Sequence, residues 1–247
     1  MTMAGANLLA QADPRAPGIP EFAAKAEKAY EDNRTQFQAD SNNSEACWHF
    51  ARACFDWAEF ATNNAKRAGL AEEGISACRH LLKSDTNSIP GHYFLAMNLG
   101  QLARTKSLGA LKIVTQMEAE FDAVLERDAD FDFAGADRNL GLLYLYAPGW
   151  PLSVGNKSKA RQHLKMALKR SPDFPENHLN LIEAEIRWGD KKEALAGLDA
   201  LDQLWPEARK KLAGDEWAAD WAGWEAHRDA ARKELLGNLP GSAAAAR

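Results

Sequence analysis

Apolar residues recur along most of this chain at helical spacing. Ala160, Leu164 and Ala167 stand at relative positions 0, +4 and +7, and Pro172 follows. Ala194, Leu198, Leu201 and Pro206 repeat the pattern, each 34 residues after its counterpart. Positions at 0, +4 and +7 share one helix face, so each set forms a stripe that packs on a preceding helix. A small residue at the head of the stripe lets two helices approach closely. Proline cannot continue a helix, so the pattern predicts that Pro172 and Pro206 each fix a turn into the next pair. Hairpin signals are nearly absent, with no Asn-Gly or Asp-Gly between alternating apolar runs.

The partner helices follow from the same reading. Leu140-Gly141 and Tyr144 precede the first stripe, and Leu181-Ile182 precedes the second. A 34-residue period built of two helices is the tetratricopeptide period. Weaker copies lie upstream: Leu95-Ala96 and Leu99 precede Phe121, Val124 and Ala129, and Trp48, Ala51 and Phe55 precede Gly74, Cys78 and Leu81. Both early units are stretched by roughly ten residues. The expected fold is all-α, a tetratricopeptide-like α-solenoid of four helix pairs between Ser44 and Pro206. A leading helix from Pro20 to Asp40 and a final helix from Asp215 to Leu236 cap it. Trp217, Trp221 and Trp224 share one face of the final helix, where they either cap the last repeat or contact a ligand or partner. The domain reading is residues 20–236, flanked by tails at 1–19 and 237–247. Stacked helix pairs curve around a long concave face, which suits peptides, helices or elongated ligands.

Composition narrows the function classes. The net charge of −5 argues against a nucleic-acid binder, which needs a basic patch to displace counterions. No apolar run reaches the ~20 residues that span a bilayer. The three cysteines, Cys47, Cys54 and Cys78, form no CxxC pair. They are open to two readings: three buried thiols, or one bridge from Cys47 or Cys54 to Cys78. Residues 1–19 are either a flexible tail or a signal-peptide remnant, because Ala10-Gln11-Ala12 has the small-x-small form of a processing site. The second reading favours the bacterial periplasm over the cytoplasm.

Candidate chemistry is sparse. Asp128, Asp130 and Asp132 open like a calcium loop, but Phe133 stands where glycine is needed and Asn139 where a bidentate glutamate is needed. An inter-repeat turn with a helix N-cap is the expected role. The six histidines show no metal spacing, and no nucleophile elbow, phosphate loop or cofactor motif occurs. A non-catalytic binding or scaffold protein, with no cofactor or metal, is therefore expected. The most unusual segment is Ala147-Pro-Gly-Trp-Pro-Leu-Ser-Val-Gly155, an insertion of about seven residues inside the third pair. Its Trp150 either seals the helix junction or forms a wall of a ligand pocket. Arg138 on a first helix either faces the groove and pairs with a carboxylate or is a locally paired surface residue. The candidate ligand or partner contacts are Arg138, Tyr144, Trp150, Pro151 and Trp188. The candidate repeat core is Leu140, Gly141, Ala160, Leu164, Ala167, Leu181, Ala194 and Leu198.

Two stretches carry a family likeness: Arg138 to Tyr144, and Ala147 to Asn156 running on to Lys159-Ala160 and Ala167-Leu168. Together they resemble the T-component (TatT) family associated with TRAP-type solute transporters. A looser similarity is to the regulator of microtubule dynamics proteins. The first resemblance implies an exported accessory of solute uptake that partners a solute-binding protein and handles a hydrophobic or organic-acid ligand. The sequence departs from it in lacking a lipid-bearing cysteine near its start, since Cys47 lies inside a predicted helix. The alternative is a structural module for protein–protein assembly, homo-oligomers included.

Overall fold

The computed structural model describes residues 19–106, 110–149 and 152–237. Helix α1 (Ile19–Ala39) leads. Four antiparallel pairs follow: α2 (Ser44–Glu59) with α3 (Asn64–Ser84), and α4 (Ile89–Arg104) with α5 (Ala110–Arg127). Then come α6 (Phe131–Tyr146) with α7 (Lys157–Arg170), and α8 (Pro175–Trp188) with α9 (Lys191–Lys211). A 3₁₀ turn at Asp215–Trp217 leads into α10 (Ala218–Leu236). No strand occurs among the described residues, only an isolated bridge between Gly149 and Gly155. The fold is an all-α solenoid, and among the described residues no helix is long and apolar enough to cross a membrane.

Local chemistry fixes the helix starts. The side chains of Asn43, Asn63, Ser88 and Asn156 each accept a hydrogen bond from the backbone N–H three residues on, at 2.9–3.2 Å. Such a cap satisfies a donor that the helix leaves without a partner and stabilises by ~1 kcal/mol. Asp130 departs from the expected N-cap: its side chain makes no capping bond to α6, and the Asp128 carboxylate instead accepts the Asp130 N–H at 3.0 Å.

The predicted stripes become the core. Leu140, Ala160, Ala167 and Ala194 are fully buried, and Leu164, Leu198 and Leu181 nearly so. Gly141 lets α6 and α7 approach: a Cβ there would stand 2.6 Å from Cγ of Leu164. The three cysteines are free thiols, all buried, and burial raises the pKa of each.

Pro206 corrects an expectation. Pro172 follows the end of α7, but α9 runs through Pro206 to Lys211. The ring removes one backbone donor. Helix continuation beyond it buries Ala208 and brings Leu212 into the cluster of Trp217, Trp221 and Trp224. Burial of that apolar surface offsets the lost bond.

Candidate functional site

In the first two pairs the first helices form the inner layer. α2 packs directly on α4, whereas α3 and α5 each pack on α4 and scarcely on each other. Helices that touch lie on the inside of the curve, and those that splay lie on the outside. The inner layer carries a polar row. Arg104 of α4 donates to both carboxylate oxygens of Glu59 on α2, at 3.0 and 3.3 Å, and the Gln101 amide donates to the same carboxylate. One turn before Glu59, Asp56 pairs with Arg52 at 3.6 Å. Burial pushes the Asp56 carboxyl up to about 6, with Arg52 opposing the shift. Beside the row, Phe55, Met97, Gly100 and Asn139 line a crevice of about 10 Å³, room for roughly one water molecule. Arg52, Asp56, Glu59 and Arg104 keep part of their side chains open and can exchange hydrogen bonds and charge with a bound segment, whereas Gln101 is buried. Nothing in the row is arranged as a nucleophile with a base.

A second polar cluster ties the third pair to its neighbours. Arg138 is 1 % exposed. Its guanidinium donates to the Asp132 carboxylate at 2.9 Å, to the carbonyls of Asp132 and Phe133 at 3.2 and 3.1 Å, and to Asn177 at 3.3 Å. It lies 3.8 Å from the Glu176 carboxylate and 5.2 Å from the centre of the Phe174 ring. Burial disfavours its charge, but Glu176, Tyr93 and Asp132 outweigh that and hold its pKa above the ordinary value. The Tyr93 hydroxyl donates to Asp132 at 2.6 Å, and burial with that carboxylate drives its pKa well up. Asp132, Phe133 and Ala134 have φ of 53°, 56° and 61°. The left-handed region costs a non-glycine residue roughly 1–2 kcal/mol. Arg138 and Asn177 hold the turn by bonding its carbonyls, and Phe133 stacks on Phe174 at 4.4 Å. Arg138 thus pairs with a carboxylate, but inside the protein and out of reach of solvent.

The other predicted contacts lie elsewhere. Tyr144 is buried, donates to Glu118 of α5 at 2.7 Å and takes the Lys159 ammonium over its ring at 4.7 Å. Burial and Glu118 raise its pKa. Half-buried Trp188 receives Lys157 and Arg161 over its ring at 5.4 and 4.5 Å. Tyr144 and Trp188 therefore both meet cations from the first turns of α7, apart from the Arg138 cluster. Trp150 and Pro151 lie outside the described residues. The flanks of their loop close on themselves, with Gly155 N–H donating to the Pro148 carbonyl and Asn156 N–H to the Tyr144 carbonyl, both at 2.9 Å. A Cβ at Gly155 would overlap the Ala147 carbonyl. Sequence reasoning missed Asp56, Glu59 and Arg104 of the inner row, and Tyr93 and Asn177 of the knot. Glu59, Arg104, Tyr93 and Asn177 meet partners on different helices, which no local spacing marks, whereas Asp56 stands four residues after Arg52 on α2, a spacing that could have shown the pair.

No group of three or more metal-ligating side chains occurs among the described residues. Asp132 of the aspartate run is committed to Tyr93 and Arg138.

A family model of regulator of microtubule dynamics protein 1-3 matches residues 8–115, less than half of the chain. That range covers α1 to α4, including the first stretched repeat. No curated protein matches the sequence. Among solved structures, TTC0263, a thermophilic TPR protein of Thermus thermophilus, is similar at 19% identity and a TM-score of 0.61, over 90% of this chain and 98% of that one. MamA is similar at 16% identity and a TM-score of 0.53, over 78% of this chain and 97% of that one. The chain therefore has the tetratricopeptide-type fold.

Proposed function

We propose that this protein is a non-catalytic scaffold whose inner face holds a segment of a protein partner. The observation that carries this reading is the polar row of Asp56, Glu59, Gln101 and Arg104, set on the layer that a helical-repeat array curves around. An extended or helical segment laid along it would exchange charge and amide bonds with the row. The finer reading is an accessory to solute uptake of the T-component type, and the inserted loop from Ala147 to Asn156 favours it. On that reading Trp150 and Pro151 wall a pocket for a hydrophobic or organic-acid ligand, with Tyr144 and Trp188 bracing it and Arg138 taking no part.

Native mass spectrometry of the protein purified from its own host separates the two readings. A co-purifying polypeptide that the double substitution Glu59→Ala, Arg104→Ala releases supports the scaffold. A retained small molecule that Trp150→Ala releases, with the thermal midpoint nearly unchanged, supports the solute reading. A bare, monomeric protein overturns both.

A further inference from the structure

The outer layer holds a feature that the inner-face reading does not use. α3 and α5 splay apart over α4 and leave an open groove of about 680 Å³. Leu99 and Leu102 of α4 form its floor, and Arg79, His80, Lys83 and Lys112 stand on its walls. Glu72, at one end of the α3 wall, is the only acidic residue lining it among the described residues. Glu72, Ser76, Arg79 and Lys83 are all exposed or half-exposed and sit at 0, +4, +7 and +11, one face of α3 over three turns. This positive patch belongs to a chain of net charge −5. Among the described residues one side-chain hydrogen bond spans the groove, from Arg79 to the side-chain amide oxygen of Gln116 at 3.3 Å, in an exposed position where a carboxylate could replace the amide.

We propose that this groove is a second docking site and that its occupant is an acidic amphipathic helix of a partner protein. Three features select that occupant. The walls are two parallel-running helices separated by a third, which leaves a cleft into which a helix can lay an apolar face. Apolar side chains form the floor, so the partner's apolar stripe goes inward. Cationic side chains line the walls, so the flanks of that stripe are acidic. A flat anionic membrane fits worse, because it would need the apolar groups at the rim and not at the bottom.

The test uses the full chain and a synthetic helix of leucine and glutamate, with leucines at i, i+3, i+4 and i+7. Fluorescence anisotropy gives its affinity, and amide chemical shifts locate it. Perturbation of α3 and α5 amides is expected, with binding weakened by added salt. The triple substitution Arg79→Glu, Lys83→Glu, Lys112→Glu is expected to weaken binding about tenfold or more, from three charge pairs of ordinary surface strength. A thermal melt of the variant checks the fold. The pair Lys83→Glu, Lys112→Glu leaves the Arg79–Gln116 bond intact and should still weaken binding. The proposal is overturned by no binding, by equal binding of the triple variant, or by equal binding of a lysine–leucine helix. Shifts confined to the residues around Glu59 and Arg104 would also overturn it while leaving the inner-face reading standing. So would binding to phosphatidylserine vesicles with none to the peptide.

Discussion

Helix α8 is held by two clusters of opposite kind. Its junction with α9 and α10 closes on Phe174, Trp217, Trp221 and Trp224, a nearly dry aromatic cluster. Trp221 meets Trp224 edge-on at 4.9 Å, and Phe174 meets Trp224 edge-on at 5.3 Å. Its junction with α6 closes on Arg138, Asp132, Glu176 and Asn177, a knot of charges and amides. Phe174 belongs to both, with one face over the guanidinium and an edge toward the tryptophans. Apolar burial is non-directional and tolerates imperfect fits. The charged knot is all or none, since a buried charge that loses its partner keeps its full desolvation cost. The two junctions should therefore fail differently.

The largest effect should come from the knot. Arg138→Ala leaves Asp132 without its ion pair and uncouples the left-handed turn at Phe133 from its donor. We expect a loss of about 3–5 kcal/mol in urea unfolding, the cost of breaking a buried pair from one side. Adding Asp132→Asn and Glu176→Gln to Arg138→Met should recover part of that loss, because the charges then leave together. If Arg138→Ala unfolds like the parent, the knot contributes nothing to stability.

What was legible in the sequence follows the same division. The stripes at Ala160 and Ala194 showed their helices because apolar burial repeats with the helix turn. The tryptophan stripe of α10 showed its face for the same reason. Arg138 drew notice only through its neighbours in sequence, and its partners Asp132, Glu176 and Asn177 could not be assigned. A charged side chain finds its counter-charge through the tertiary fold, and no period records the match. Glu59 and Arg104 were missed likewise, being on separate helices. Pro206 shows the reverse error: a strong local rule yielded to the apolar surface buried by the next turn of α9.

Within the aromatic cluster the prediction is a ranking. The indole N–H of Trp221 donates to the Leu212 carbonyl at 2.7 Å, whereas that of Trp224 is buried with no hydrogen-bond partner among the described residues. Trp221→Phe removes volume and also strands a carbonyl. Trp224→Phe removes volume and relieves a buried donor. We expect Trp221→Phe to cost more, by ~1–2 kcal/mol, with calorimetric midpoints as the readout. The reverse order would mean that shape, and not hydrogen bonding, sets the strength of this junction.

Between the two junctions in character lies the close approach of α6 and α7. Gly141→Ala would place its methyl group 2.6 Å from Leu164, a clash inside a packed interface. Overpacking of this kind costs about 1–3 kcal/mol. The companion substitution Leu164→Val makes room, so the double variant should lose less than the sum of the two single losses. Strict additivity in a denaturation cycle would show that the two side chains do not meet.

The smallest effect sharpens the comparison through pH. His178 follows Asn177 in sequence, and its Nε2 lies 2.7 Å from the Pro172 carbonyl. Burial lowers its pKa, although the carbonyl and Asp173 pull the other way. A histidine whose folded pKa is depressed binds more protons when unfolded. Its stabilising contribution is therefore complete above the unfolded value of roughly 6.5 and declines as pH falls toward the folded pKa. Urea stability of the parent should drop between about pH 7.5 and 5.5 by more than that of His178→Gln, which cannot titrate. Trp224→Phe removes no titrating group from the tryptophan junction, so it should leave the slope unchanged. A parent and His178→Gln with the same pH slope would show that the ring is as free to protonate in the fold as in the open chain.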